Sequence, residues 1–248
     1  MPMDESYLGE LDGVIGKYMP FLVEIRRRLL FTVSLFVIAS VVTFIYADRI
    51  VRLLLSLFHL QGVNVVFTSP FQFINLSFSI AFLAGLIVIF PLIILQTLTF
   101  LKPALSRGEF KAVIYLLPIS IALFISGAGF GFMVTRYVVK LFYEQSLKFN
   151  VGNFLDISQL LSQILTTSIL MGLAFQFPIV MTLLLKFKVI KHTALAKKRL
   201  WVYAAALIFA GLLPPADLLS TVVYFLPLVL LFELALLLNK WILKTHLM

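Results

Sequence analysis

Five stretches of the chain, residues 29–46, 73–100, 112–134, 160–185 and 218–238, each run 18 residues or more and together hold a single charged side chain, Glu233. A bilayer's hydrocarbon core is about 30 Å thick and takes about 20 helical residues to cross. No water satisfies backbone groups inside it, so such runs cross as helices. A sixth run, 200–213, has only 14 residues, about 21 Å of helix at 1.5 Å per residue. It ends in the corner Pro214-Pro215-Ala216-Asp217. It spans if the bilayer thins locally or if the corner sits below the far surface. A re-entrant hairpin that never crosses is the competing picture. Both leave the C-terminus on the side of the 186–199 connection. The sequence thus predicts an all-α integral membrane protein, a single polytopic domain over residues 1–248, with six transmembrane helices and short fifth and sixth spans.

The charge follows the sides of the membrane. Of 20 lysines and arginines, 15 fall on the side of the N-terminus, the 101–111 and 186–199 connections and the C-terminal tail; Arg49, Arg52, Arg136, Lys140 and Lys148 are the other five. The basic excess places both termini in the cytoplasm or its topological equivalent. The net charge of +9 therefore speaks for topology before nucleic acid, and no nucleic-acid partner is expected. There are no cysteines, which removes disulfides and thiol chemistry.

Residues 1–20 contain Asp4, Glu5, Glu10 and Asp12 among Gly9, Gly13, Gly16 and Pro20. They lack a basic segment followed by an apolar core, so no cleaved signal peptide is expected. They read as a mobile or surface-lying lead-in, and the first span as an uncleaved signal anchor. Residues 50–60 form a short amphipathic piece with Arg49 and Arg52 on one side, and 65–68 suit an extended segment. Residues 136–156 read as the second large polar connection. Pro91, Pro118, Pro178 and Pro227 each interrupt the ladder of a span, which favours a cupped or curved bundle over a straight one.

Where the lead-in meets the first span stands Phe21-Leu22-Val23-Glu24-Ile25-Arg26-Arg27-Arg28-Leu29-Leu30. Read as a helix, Glu24 and Arg28 share a face, and Arg26 and Arg27 point elsewhere. Arginines at a membrane edge fix orientation. An acid adds nothing to orientation and sits where a basic ligand can meet it.

Enzyme chemistry finds little support, and the chain is not expected to be an enzyme or to carry a cofactor or metal. His59, His192 and His246 are isolated, and neither a His-Glu-x-x-His helix nor a Gly-x-Ser-x-Gly elbow occurs. Gly127-Ala128-Gly129-Phe130-Gly131 lies inside an apolar run and reads as close helix packing. Within the spans, Gln176 is either glue between helices or a ligand contact. Glu233 is either a structural pair or a functional acid. A small-solute or ion transporter is the rival class, and these two residues are a meagre polar path for one.

Along residues 21–240, the stretch Phe21 to Leu29, Ser69-Pro70, the run Pro91, Gln96, Phe100, Pro103, Ala104, Leu105 and Glu109, then Gly127, Phe130, Asp156, Phe175 and Phe177-Pro178 stand in a characteristic order. Arg199, Pro215, Asp217, Ser220, Pro227, Phe232 and Glu233 complete it. In order and spacing the sequence resembles the TatC family, the signal-peptide receptor of the twin-arginine protein translocase. The family's opening motif, His-Leu-x-Glu-Leu-Arg-x-Arg-Leu, is matched with Phe21 at the histidine. Phe110 stands where an arginine usually follows the loop glutamate, Ala216 within the Pro-Pro-Asp corner, and Gln176 where many members carry a membrane-embedded glutamate. The chain reads as a divergent member, and the last change bears on any mechanism that requires a charge inside the fourth span.

The resemblance implies a protein of the bacterial cytoplasmic membrane, or an organellar equivalent, without catalytic activity. It would recognise twin-arginine signal peptides on its cytoplasmic face, self-associate, and assemble with single-span TatA/TatB-type partners and membrane lipid. Folded proteins would pass at the expense of the proton-motive force. Two adjacent guanidinium groups call for carboxylates. Outside the lead-in, the acids at the cytoplasmic membrane edge are Glu24 and Glu109, the expected signal contacts together with Arg26, Arg28 and Phe100. The competing account pairs each acid with a neighbour such as Arg28 or Lys111. Gln176, Glu233 and Asp217 are the intramembrane or partner-facing polar candidates, and Pro70, Pro91 and Pro215 the structural ones.

Overall fold

The computed structural model describes the backbone of residues 5–58, 64–66, 69, 71–101, 107–148, 154–186, 190 and 192–245. Side chains are described for 19, 22–56, 69, 71–96, 114–146, 148, 156–186, 190 and 195–239. In chain order the elements are α1 (Glu5–Ile45), α2 (Ala47–Phe58), β1 (Asn64–Val66), α3 (Gln72–Leu101), α4 (Arg107–Lys148), β2 (Phe154–Asp156), α5 (Ile157–Ala174), α6 (Phe177–Lys186), α7 (His192–Lys197), α8 (Arg199–Leu212) and α9 (Leu218–Thr245). The architecture is the expected membrane protein of six spans. Five are long apolar helical stretches, 22–45, 72–96, 114–146, 157–186 and 218–239, and α8 is the short one.

Three boundaries differ from the sequence reading, each for a physical reason. Helix α1 starts at Glu5, so the backbone of the lead-in is helical through its glycines and Pro20. Helix α4 runs on to Lys148, through most of what reads as a polar connection. Its inner face remains apolar at helical spacing, with Val134 and Val138 buried beside Thr135, while Lys140 and Glu144 pair across one exposed turn at 3.8 Å. The fourth span is two helices, α5 and α6. Pro178 has no N–H to return to the Ala174 carbonyl, and the ladder breaks at Phe175-Gln176. Ile179 and Val180 restart it by donating to the Gln176 carbonyl at 3.0 and 3.1 Å. Pro91, Pro118 and Pro227 sit inside continuous helices.

The amphipathic α2 turns Ala47, Val51 and Leu54 inward and leaves Arg49 and Arg52 exposed. Strand β1 covers the first part of the expected extended segment. It pairs in parallel with β2, Asn64 opposite Phe154 and Val66 opposite Asp156, so the starts of α3 and α5 are tied side by side. Asp156 reinforces the tie. Its Oδ1 caps α5 by accepting from the N–H groups of Ser158 and Gln159, and its Oδ2 accepts from Gln72 Nε2 at 2.6 Å.

Among the described residues, the core lies in three patches along α5, α6 and α9. Val51, Leu54, Leu76, Ile80 and Leu161 join α2, α3 and α5. Val138, Met171, Phe175, Leu213 and Tyr224 join α4, α5, α8 and α9. Met181, Leu185, Phe232 and Leu236 join α6 and α9. Helices α4 and α5 approach closely because Gly127 and Gly131, one turn apart, lack side chains. A methyl group at Gly127 would stand 2.7 Å from the Met171 carbonyl oxygen, and one at Gly131 2.9 Å from that of Thr167. The close helix packing expected of this glycine cluster is thus what the two glycines provide.

Candidate functional site

At the membrane edge of α1, four-residue spacing stacks Glu24, Arg28 and Thr32 on one face. Arg28 donates to Glu24 Oε1 from Nε at 3.0 Å and from Nη2 at 2.5 Å. Its Nη1 donates to the main-chain oxygen of Gln96 on α3 at 2.9 Å. The Thr32 hydroxyl stands 2.7 Å from Gln96 Oε1 and 2.8 Å from the Arg28 carbonyl oxygen. The guanidinium therefore bolts α1 to α3 and orients the carboxylate through one oxygen only. Glu24 Oε2 has no partner among the described residues, and the side chain is 43% exposed. Glu24, Arg27, Arg28, Phe31 and Gln96 surround an open hollow of about 380 Å³. Arg26 is exposed and does not line it.

The chemical character of this hollow is mixed. One oxygen of Glu24 stays open to a cationic donor, while Arg27 beside it repels one. A single carboxylate among three arginines would bind an arginine pair weakly, and a second acid is required. Glu109 is two residues into α4, which starts at Arg107, but its side chain lies outside the described residues, as do the side chain of Phe100 and all of Pro70.

The other candidates stand apart from this edge. Gln176, in the break between α5 and α6, accepts a hydrogen bond from the Ser120 hydroxyl of α4. Its Nε2 donates to the main-chain oxygens of Ser120 at 3.1 Å and Gly172 at 3.4 Å. The amide is thereby paired on both ends inside the protein. It also borders an apolar cavity of about 350 Å³ against α8 and α9 and another of about 250 Å³ against α3 and α4. Glu233 of α9 accepts from the Tyr203 hydroxyl at 2.5 Å and faces Arg199 at 3.5 Å, both on α8. Asp217 caps α9: its Oδ1 accepts from the Ser220 N–H at 2.8 Å, its Oδ2 from the Ser220 hydroxyl at 2.6 Å. Pro91 lies within α3, and Pro215 follows Pro214 in the corner before Asp217.

Polar groups that sequence reading gave no role of their own do much of the joining. Gln96, named there only within the family order, and Thr32 fix Arg28, and Ser120 fixes Gln176. Thr135 and Tyr224, both fully buried, share a hydrogen bond at 3.1 Å between α4 and α9. Thr167 of α5 donates to the Pro214 carbonyl at 2.5 Å. Buried Asn239 on α9 donates to Thr182 on α6 at 3.0 Å. Their common signal is a hydroxyl or amide inside an apolar run, where each must find a partner.

Comparison with known proteins agrees with this geometry. The family model described as Sec-independent protein translocase protein (TatC) matches residues 20–227. The chain is 30% identical over 228 residues to the Sec-independent protein translocase protein TatCy of Bacillus subtilis (strain 168), covering 88% of this chain and 86% of that one. It is 32% identical over 240 residues to the Sec-independent protein translocase protein TatC of Rickettsia prowazekii (strain Madrid E), covering 91% and 93%. A crystal structure of the twin arginine translocase receptor TatC superposes with a TM-score of 0.77 at 30% identity, over 89% of this chain and 98% of that one. With the family model matching residues 20–227, the chain belongs to the TatC family of Sec-independent protein translocase proteins.

Proposed function

We propose that the chain is the twin-arginine signal-peptide receptor and core subunit of a Tat translocase, carrying folded proteins across the bacterial cytoplasmic membrane under the proton-motive force. The observation that carries the site is Glu24, a carboxylate held by Arg28 through one oxygen, with the other unpaired among the described residues and the side chain 43% exposed. One signal arginine meets Oε2 of Glu24, and the second takes Glu109, with Phe100 and Arg28 bounding the site and Arg26 outside its lining. Arg28 acts as the positioning group, because its bond to the Gln96 carbonyl fixes the guanidinium that holds Glu24. TatA/TatB-type single-span subunits and further copies of the chain are its partners, and both termini face the cytoplasm. Among the described residues the polar candidates for a small-solute path, Gln176 and Glu233, are both engaged by protein partners.

The test is a titration in detergent with a twin-arginine peptide and its Lys-Lys variant. A charge-assisted hydrogen bond contributes about 1.5–3 kcal/mol, so Glu24→Ala or Glu109→Ala is expected to weaken the arginine peptide about tenfold or more. The double variant removes specific binding and changes Lys-Lys affinity far less. Arg28→Lys, which keeps the charge but loses the fork, is expected to lower affinity with the fold intact. Equal losses for both peptides would mean that the acids support the receptor without reading the arginine pair.

A further inference from the structure

The apolar cavity beside Gln176 leads up to a cluster of cations. Its lining on α8 runs from Val202 to Phe209, about 10 Å of helix at 1.5 Å per residue. One turn above Val202 lie Lys198 and Arg199, and Lys197 closes α7. Leu185 of α6, Leu195 of α7, Val202 and Tyr203 of α8 and Phe232 of α9 pack as one cluster. That packing draws Lys186, at the end of α6, to the same edge as Lys197, Lys198 and Arg199. Among the described residues Lys186, Lys197 and Lys198 make no ion pair, and Arg199 meets Glu233 only at 3.5 Å. Of these four cations only Arg199 is near a carboxylate among the described residues. Beside them Leu200 and Trp201 are about three-quarters exposed, the placement of an aromatic at the headgroup level.

We infer that this edge binds one anionic phospholipid, its phosphate on Lys197, Lys198 and Arg199 and one acyl chain in the cleft between α6, α8 and α9. Basic pockets between membrane helices are suited to anionic headgroups. The planar guanidinium of Arg199, 3.5 Å from Glu233, offers a fork to phosphate. The lining is apolar apart from one amide, which suits a lipid chain better than a partner that brings polar side chains. The one amide in the lining, that of Gln176, already has its partners in Ser120 and Gly172. It has little to offer a polar side chain, and an acyl chain asks for none. The rim includes exposed Phe177 and Val180, so a chain can enter sideways from the bilayer.

The experiment is native mass spectrometry of the full chain in detergent, titrated with palmitoyl-oleoyl phosphatidylglycerol or with phosphatidylcholine of the same chains. One phosphatidylglycerol is expected to bind at least tenfold more tightly than phosphatidylcholine. Lys197→Gln with Lys198→Gln should remove that preference, and Ala205→Phe, which fills the cleft, should lower retention of both lipids. Gel filtration checks each variant, and Ala205→Leu replaces the phenylalanine variant should that one fail to fold. An unchanged preference after the double lysine change, or unchanged retention in the filled cleft, overturns the site. Loss of a co-purifying membrane helix with lipid retention intact would assign the cleft to a protein partner and equally overturn it.

Discussion

At the scale of single residues, a few polar side chains inside the spans, Gln176, Thr135, Thr167 and Asn239 among them, reach a partner on another element, while Thr43, Ser77 and Ser168 return to a carbonyl of their own helix. Gln176 is the clearest, because its amide reaches both the hydroxyl and the main-chain oxygen of Ser120. Hydrogen bonds between membrane helices average about 0.6 kcal/mol and reach about 1.7. Gln176→Leu should therefore lower stability in detergent by about 1 kcal/mol. In a Ser120→Ala background the same change should cost less, since the pair is already broken. A double-mutant cycle by thermal unfolding measures the difference; strict additivity would mean that the two do not interact. Co-purification of single-span partners with Gln176→Leu and Gln176→Glu then separates glue from a partner contact. The sequence made the Glu24–Arg28 pair readable because four residues is one helical turn. It did not make Ser120 readable as the partner of Gln176, since the register between two helices depends on packing by Gly127 and Gly131 rather than on spacing along one chain.

At the scale of elements, α8 is the unusual one, and its far end has a definite depth. The Pro214 carbonyl is bonded to Thr167, ten residues into α5 from Ile157, or about 15 Å along that helix. The corner is thus held well below the strand pair that precedes α5, in agreement with a 14-residue helix too short for a full hydrocarbon core. Four leucines inserted after Ile208 would push the corner out by about 6 Å and break the Thr167 bond. A cysteine at Ala216 should then become more reactive to an impermeant maleimide from outside. Export should fall while signal-peptide binding stays intact; unchanged reactivity and export would show that the depth of the corner is immaterial. The short run and its corner are plain in the sequence, as are the five long spans. The continuation of α4 to Lys148 and the β1–β2 pair are not. The first depends on burying Val138 against neighbours distant in sequence, and the second joins segments 90 residues apart.

At the scale of the molecule, the apolar stretch of α1 is nowhere buried within the chain, and α1 rests mainly on α3 through aromatic pairs such as Phe36–Phe82 at 5.3 Å. Such an arrangement holds its shape only if lipid or partner helices cover the rest, so its placement in the bilayer is part of its structure. That placement follows from the distribution of charge. In the proposed orientation, an even number of crossings puts the Glu24 edge, the Lys186 to Arg199 edge and both termini together on the side with 15 of the 20 basic residues. The strand pair, Arg49, Arg52 and Lys148 face the other way. Because the chain has no cysteine, single substitutions read this directly. Lys148→Cys should react with an impermeant maleimide added to intact cells. Arg107→Cys and Lys191→Cys should react only after the membrane is opened. If position 148 instead required opening and 107 and 191 did not, the whole molecule would be inverted and Glu24 would face away from any signal peptide made in the cytoplasm. If 107 and 191 fell on opposite sides, the number of crossings between them would be odd, and α4 or the α5–α6 pair would not span.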